Sequence, residues 1–284
     1  MSFENPRQPE GINVTAENPL REFFTLLLGF GGLVLATLLL LTWSAQWLAQ
    51  FVPFSVEQRL SGSVVSAIAQ PKTADEQARE AYIQGLAARL VRHLDAAERV
   101  PVVAHYDVGA TENAFATLGG HVVFYRGLVD RVPHENALAM LVAHEIAHIQ
   151  LRHPIVANGR ALTVALALGA LIGLADNAVI GSIANWLGVS SIMTFSRAQE
   201  RAADALAAEL VLAEYGHLRG ASDLFEVLLD THGDGGVVGF LSTHPGLRER
   251  IATLEALAEE EWEAAPNGAI VPSDAELTPL PWKS

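Results

Sequence analysis

The sequence predicts an α+β fold, mostly helical, in which a small β-sheet packs on one central apolar helix and an amino-terminal hydrophobic helix stands apart. Three observations carry this. "LAMLVAHEIAHIQLRHP" (Leu138 to Pro154) is apolar enough for a buried helix. Two short β-patterned runs precede it, "VPVVAHYD" (Val100 to Asp107) and "HVVFYRG" (His121 to Gly127), with Gly109 and Gly119-Gly120 marking turns. From Phe23 to Trp43 no residue is charged, and the next charge after Glu22 is Glu57.

Taken in order, residues 1–22 form a polar tail carrying Glu4, Glu10, Glu17, Arg7 and Arg21. Residues 23–43 at 1.5 Å per residue reach roughly 30 Å, a bilayer core, and read as an uncleaved membrane anchor. Residues 44–74 follow as an interfacial segment and linker, with Trp43, Trp47, Phe51 and Phe54 where an aromatic belt belongs. A domain extends over residues 75–263. It opens with a helix in Asp75 to Ala97, continues through the strands, and reaches the central helix near Pro133, with Glu135 in the first turn where an acid suits the dipole. Residues 161–195 form an apolar stretch broken at Asp176-Asn177. Each half is roughly 23 Å as helix, short for a span, so the stretch reads as a hairpin packed on the domain. A last helix runs to about Trp262, and residues 264–284, Pro-rich and acidic, read as a loose tail.

Composition removes several classes of function. The formal charge of -14 and scattered basic residues exclude nucleic acid as a partner. With no cysteine there are no disulfides, thiolate metal sites or cysteine nucleophiles, which leaves His, Asp and Glu as the strong ligands.

The central helix holds the chemistry. His144 and His148 lie one turn apart on one face and can aim two imidazoles at one point, while Glu145 is angled off that face, near enough to serve as a general base on a water. Burying three ionisable groups among Leu141, Val142, Ile146 and Ile149 costs several kcal/mol unless a cation compensates. Two histidines do not hold a catalytic zinc, so a third ligand is needed. The metzincin pattern is excluded, because Leu151 and Pro154 stand where its glycine and third histidine belong. His153 reads as a helix-end residue near the dipole. The gluzincin pattern takes a glutamate from a later helix, and "SRAQERAADALAAEL" (Ser196 to Leu210) offers Glu200 and Asp204 at i and i+4, the first to reach the metal and the second to orient an imidazole.

HEIAH, SRAQERAAD and "STHPGLRERI" (Ser242 to Ile251), in that order, resemble the membrane-associated zinc metallopeptidases of the HtpX and CAAX prenyl protease type, peptidase family M48. "ENAFATLGGHVVFYRGLVD" (Glu112 to Asp130) looks like that family's segment before the metal helix, and the resemblance covers roughly residues 100–257. It implies a gluzincin-type domain with one Zn2+ on His144, His148 and Glu200, Glu145 as base and Asp204 behind a ligand. A single span, where fully integral members have several, points to the anchored or periplasmic quality-control branch. The expected activity is endopeptidase cleavage of unfolded or damaged envelope proteins, by a chain held in the inner membrane with its domain outside the cytoplasm. The weak basic bias of Arg7 and Arg21 sets that orientation. Asn113, Ala114, Phe115 and Ala116 are the candidate strand for polypeptide substrates. Two roles stay open for His244: with Arg250, donor to a developing oxyanion, or a fourth zinc ligand that silences the enzyme. An oligomer is left open. The rival functions are a zinc-stabilised chaperone or adaptor without proteolytic activity, and a lipid or small-amide hydrolase with the same metal site.

Overall fold

The computed structural model of the chain describes residues 18–49, 51–62, 72–97, 99–159, 194–233, 239–264 and 277–283. The expected hairpin therefore falls, but for its last two residues, outside the described part. Along the chain come α1 (Pro19–Ala49), α2 (Phe54–Leu60), α3 (Ala74–Val91), β1 (Val103–Asp107), β2 (Ala114–Ala116), a 3-10 turn (Leu118–Gly120), β3 (His121–Tyr125), the short α4 (Arg126–Val129) and α5 (Glu135–Gln150). A further helix, α6, spans residues 153–159. It is followed by α7 (Arg197–Tyr215), α8 (Asp223–His232), α9 (Phe240–Thr243) and α10 (Leu247–Ala264).

Local chemistry sets the starts of the helices that matter most. Thr73 and Glu76 close a capping box on α3, as Ser196 and Gln199 do on α7, satisfying backbone donors that a helix start leaves free. His134 caps α5 by accepting from the Ala137 N–H. α5 is buried over Glu135–Ile149 and packs chiefly on α7, with α3 and β2 on its other sides. Such burial on several sides matches a helix that is largely apolar, its buried polar residues being Glu135 and Asn136 at the start and His144, Glu145 and His148 near the end. The sheet has the order β1-β3-β2, with β1 and β3 parallel (Val103 opposite His121) and β2 and β3 antiparallel (Phe115 opposite Val123). α3 covers β1, and β2 lies against α5.

At the start of α5, buried Glu135 accepts hydrogen bonds from Tyr82, Arg89 and Tyr215, tying α3, α5 and α7 together. Burial disfavours its charge, yet these donors outweigh it and hold the carboxyl below its ordinary pKa.

α1 is the one helix among the described residues long and apolar enough to cross a membrane; Pro19–Leu40 has a mean hydropathy of 2.3 and none of it is buried. After it, α2 docks on the 3-10 turn, with buried Glu57 paired to Arg152 at the far end of α5. A Cβ at Gly120 would fall 2.0 Å from the Pro101 carbonyl oxygen, so glycine is required for that close approach.

The carboxyl-terminal end corrects an expectation. Leu277–Lys283 packs on the domain instead of lying loose: the Thr278 carbonyl accepts from Glu135 N–H at 2.9 Å, Leu280 is fully buried, and Trp282 meets Tyr82 edge-on at 5.2 Å. Acidic, proline-rich composition averages away the two residues that anchor it. Leu280→Ala is expected to lower unfolding free energy by about 2–4 kcal/mol, measured by denaturant titration. A change below about 0.5 kcal/mol would place the tail back in solvent.

Candidate metal centre

Three elements converge on one point. α5 supplies His144, Glu145 and His148; α7 supplies Glu200 and Asp204; the turn between α9 and α10 supplies His244, with Arg250 one helical turn into α10. Gly246 (φ 87°) makes that turn possible and Gly239 (φ 58°) starts α9, where a Cβ would lie 2.1 Å from the Glu112 carbonyl oxygen. Phe240 N–H donates to the same Glu112 carbonyl, and Thr243 Oγ1 to Asn113 Oδ1, so the corner bearing His244 is bolted to the residues that lead into β2.

His144, His148, Glu200 and His244 each offer one atom, all within 4.8 Å of one another and all buried. His148 Nε2 is 3.0 Å from His144 Nε2, and His244 Nδ1 is 3.2 Å from the same nitrogen. Glu200 oxygens lie 3.5 Å from His144 Nε2, 3.5 Å from His148 Nε2 and 3.1 Å from His244 Nδ1. Ligand atoms at about 2.1 Å around tetrahedral zinc are roughly 3.4 Å apart along each edge, so the spacing fits a four-coordinate dication. Four donor atoms this close and this buried would be satisfied together by one shared cation. Both Glu145 oxygens and His244 Nε2 are buried without a hydrogen-bond partner, with His244 Nε2 3.6 Å from Glu145 Oε1.

Around this set lies a polar brace. Asp204 Oδ1 is 2.9 Å from His144 Nδ1. Arg250, a candidate helper of His244 at an oxyanion, sends two donors to Asp204: Nε and one terminal nitrogen each reach a carboxylate oxygen at 2.8 Å, while the other terminal nitrogen makes no hydrogen bond and lies 3.3 Å from Glu200. The arginine also stacks on Phe225 at 4.4 Å.

These neighbours set the charges. Burial pushes the Glu145 carboxyl up against the pull of His244 and His144. Burial disfavours charge on Glu200 as well, but His244 and His144 outweigh it and hold that carboxyl far below the usual range. Asp204 feels the same burial, overridden by Arg250 and His144 to leave it at about 2. Burial and Arg250 oppose a proton on His144, yet Asp204 and Glu200 raise it to about 9; burial and the charge on His144 hold His148 well down. One imidazole of the pair takes charge and the other is denied it, as coupled sites do.

Two residues in this region escape sequence reasoning. Phe195 stacks on His148 with centroids 4.0 Å apart. His153, read as a helix-end residue, is buried with Nδ1 2.9 Å from His148 Nδ1. Its position in a histidine-rich "HIQLRH" was the available signal, masked by the assumption that the helix runs straight. The candidate substrate residues form β2, with Asn113 just before it, and β2 is an edge strand among the described residues.

Comparison with known proteins agrees with this geometry. The chain is 31% identical over 147 residues to the mitochondrial metalloendopeptidase OMA1 of Schizosaccharomyces pombe, covering 51% of this chain and 43% of that protein. It is 39% identical over 74 residues to the beta-barrel assembly-enhancing protease of Escherichia coli K12, covering 25% of this chain and 15% of the relative. The similar protein of Yersinia pestis is 38% identical over 72 residues. The chain thus spans less than half the length of these relatives. Residues 77–258, which include every residue of the metal centre, match the model of peptidase family M48: the chain belongs to that family.

Proposed function

We propose that the protein is a zinc-dependent endopeptidase, held in the inner membrane by α1, that cleaves unfolded or damaged polypeptides outside the cytoplasm. The observation that carries this is the buried cluster of four donors beside a Glu145 carboxylate that no protein group satisfies. His144 and His148 through Nε2, and Glu200 through its carboxylate, would hold the ion; Asp204, clamped by Arg250, fixes the His144 ring. A zinc ion there would supply Lewis acidity toward a scissile carbonyl and a water. Glu145 accepts the proton from the attacking water and delivers it to the leaving amine. β2, at the end of the strand order and preceded by Asn113, would take the substrate backbone as an added strand once its buried edge is uncovered, which asks little of side-chain sequence and suits unfolded clients. The names of the relatives, a mitochondrial metalloendopeptidase and a beta-barrel assembly-enhancing protease, support the reaction.

A zinc-braced adaptor draws on the same four donors, since structural sites close every position. It leaves unexplained why an unpaired carboxylate, Glu145, is buried beside them, where a brace has no use for it. The deciding experiment is casein hydrolysis by the detergent-solubilised full chain, expected to be lost with a chelator and restored by zinc. No cleavage under any metal condition would favour the adaptor. A reporter fused after Ser284 is expected to be active only outside the cytoplasm.

Membership of His244 in the donor set favours its role as a fourth ligand at rest, displaced when substrate enters. His244→Ala is then expected to raise casein cleavage or self-cleavage several-fold. A fall in kcat of about a hundredfold at unchanged KM would assign it to the oxyanion instead.

A further inference from the structure

His144 and His148 are oriented by different kinds of partner. Behind His144 stands a carboxylate, Asp204; behind His148 stands another imidazole, His153. An imidazole that turns the lone pair of Nε2 toward an ion must carry its proton on Nδ1, and that proton needs an acceptor. For His148, Nε2 faces His144 Nε2 and Glu200, while Nδ1 lies 2.9 Å from Nδ1 of His153. Two ring nitrogens at that distance share one proton, so His153 Nδ1 must be the acceptor. Phe195 lies across both rings, stacked on His148 and 5.9 Å from His153, and closes this contact from the side.

The backbone places His153 there by a device that helical spacing does not show. α5 ends at Gln150, and Arg152 has φ 60°, the one non-glycine positive φ among the described residues. This left-handed residue turns the chain, so that α6 starts at residue 153 and brings the imidazole back beneath His148. A side chain in that conformation is strained and persists only where contacts fix it. Here the Arg152 guanidinium pairs with Glu57 of α2 and donates to the Val52 carbonyl, 6.0 Å from the Phe54 ring. The segment after the anchor thus clamps the corner that carries His153.

We propose that His153 is a positioning residue for the metal centre, accepting the Nδ1 proton of His148 and so fixing the tautomer and ring angle in which His148 binds an ion. The inference rests on the reading of His148 as a ligand. The test uses the detergent-solubilised full chain, with zinc affinity measured against a chelating dye and the absorption of the cobalt-substituted protein recorded. His153→Leu fills the space without an acceptor and is expected to weaken zinc binding by about 10- to 100-fold and to shift the cobalt bands, whereas His153→Asn, which restores an acceptor oxygen, stays within about threefold of wild type. The metal-free melting temperatures should not separate the two variants. Zinc affinity of His153→Leu within about twofold of wild type, or of His153→Asn as weak as that of His153→Leu, overturns the proposal. Should His153→Leu not fold, nitrogen-15 spectra of the zinc-loaded wild type decide: a proton on His148 Nδ1 coupled across to His153 Nδ1 supports it, and absence of that coupling overturns it. A wild-type chain that takes up no zinc or cobalt fails at an earlier point, sinking the ligand assignment and this inference together.

Discussion

Glu145→Gln is expected to abolish proteolysis while leaving fold and bound zinc in place, with a loss of about 100- to 10,000-fold in kcat. The carboxylate has no hydrogen-bond partner among the described residues and lies fully buried, with His244 Nε2 3.6 Å away, so the isosteric amide removes the base without breaking a hydrogen bond. Stability of the metal-free protein should be unchanged or higher, because burial already opposes ionisation there. Casein cleavage, zinc content and thermal melting measured on one preparation would separate these effects. Retention of a tenth of wild-type activity would exclude Glu145 as the base, and loss of zinc alongside activity would make it a ligand.

Glu200→Ala is expected to remove the metal itself. Its carboxylate lies within 3.5 Å of donor nitrogens on His144, His148 and His244 and 3.3 Å from Arg250. Deleting it leaves three imidazoles and a buried guanidinium facing a site with no counter-charge but Glu145 and Asp204. Zinc at a thousandfold excess over its Kd should stabilise the wild type by about 4 kcal/mol and the variant not at all, since an ion that does not bind the native state cannot shift the folding equilibrium. Plasma emission spectrometry after dialysis gives the independent count, expected to fall from one zinc per chain to near none. Full stoichiometry at wild-type affinity in Glu200→Ala would require another third ligand, and His244 is the nearest candidate.

Much of this centre is legible in one dimension because a helix repeats on a fixed period. His144 and His148 on α5, and Glu200 and Asp204 on α7, are each pairs four apart, so the residues that can share a point follow from spacing alone. The uncharged Phe23 to Trp43 run works in the same way, length and hydropathy being properties of one segment, and it corresponds to the exposed α1. The metzincin pattern could be excluded at Leu151 and Pro154 for a like reason.

What only the tertiary structure decided involves two elements meeting. Arg250 is 46 residues from Asp204, and nothing in "STHPGLRERI" says whether its guanidinium meets a carboxylate or open cleft. Leu280 and Trp282 look like stray apolar residues in a polar tail until the side of α3 and the start of α5 receive them. His153 is the sharpest case. Five residues after His148 on a straight helix it would sit on another face, and it reaches His148 because Arg152 takes a left-handed conformation that its own side chain disfavours. That conformation is held by Glu57, ninety-five positions earlier in the chain, so the turn that completes the surroundings of His148 is encoded in a contact between elements and not in any local run of residues.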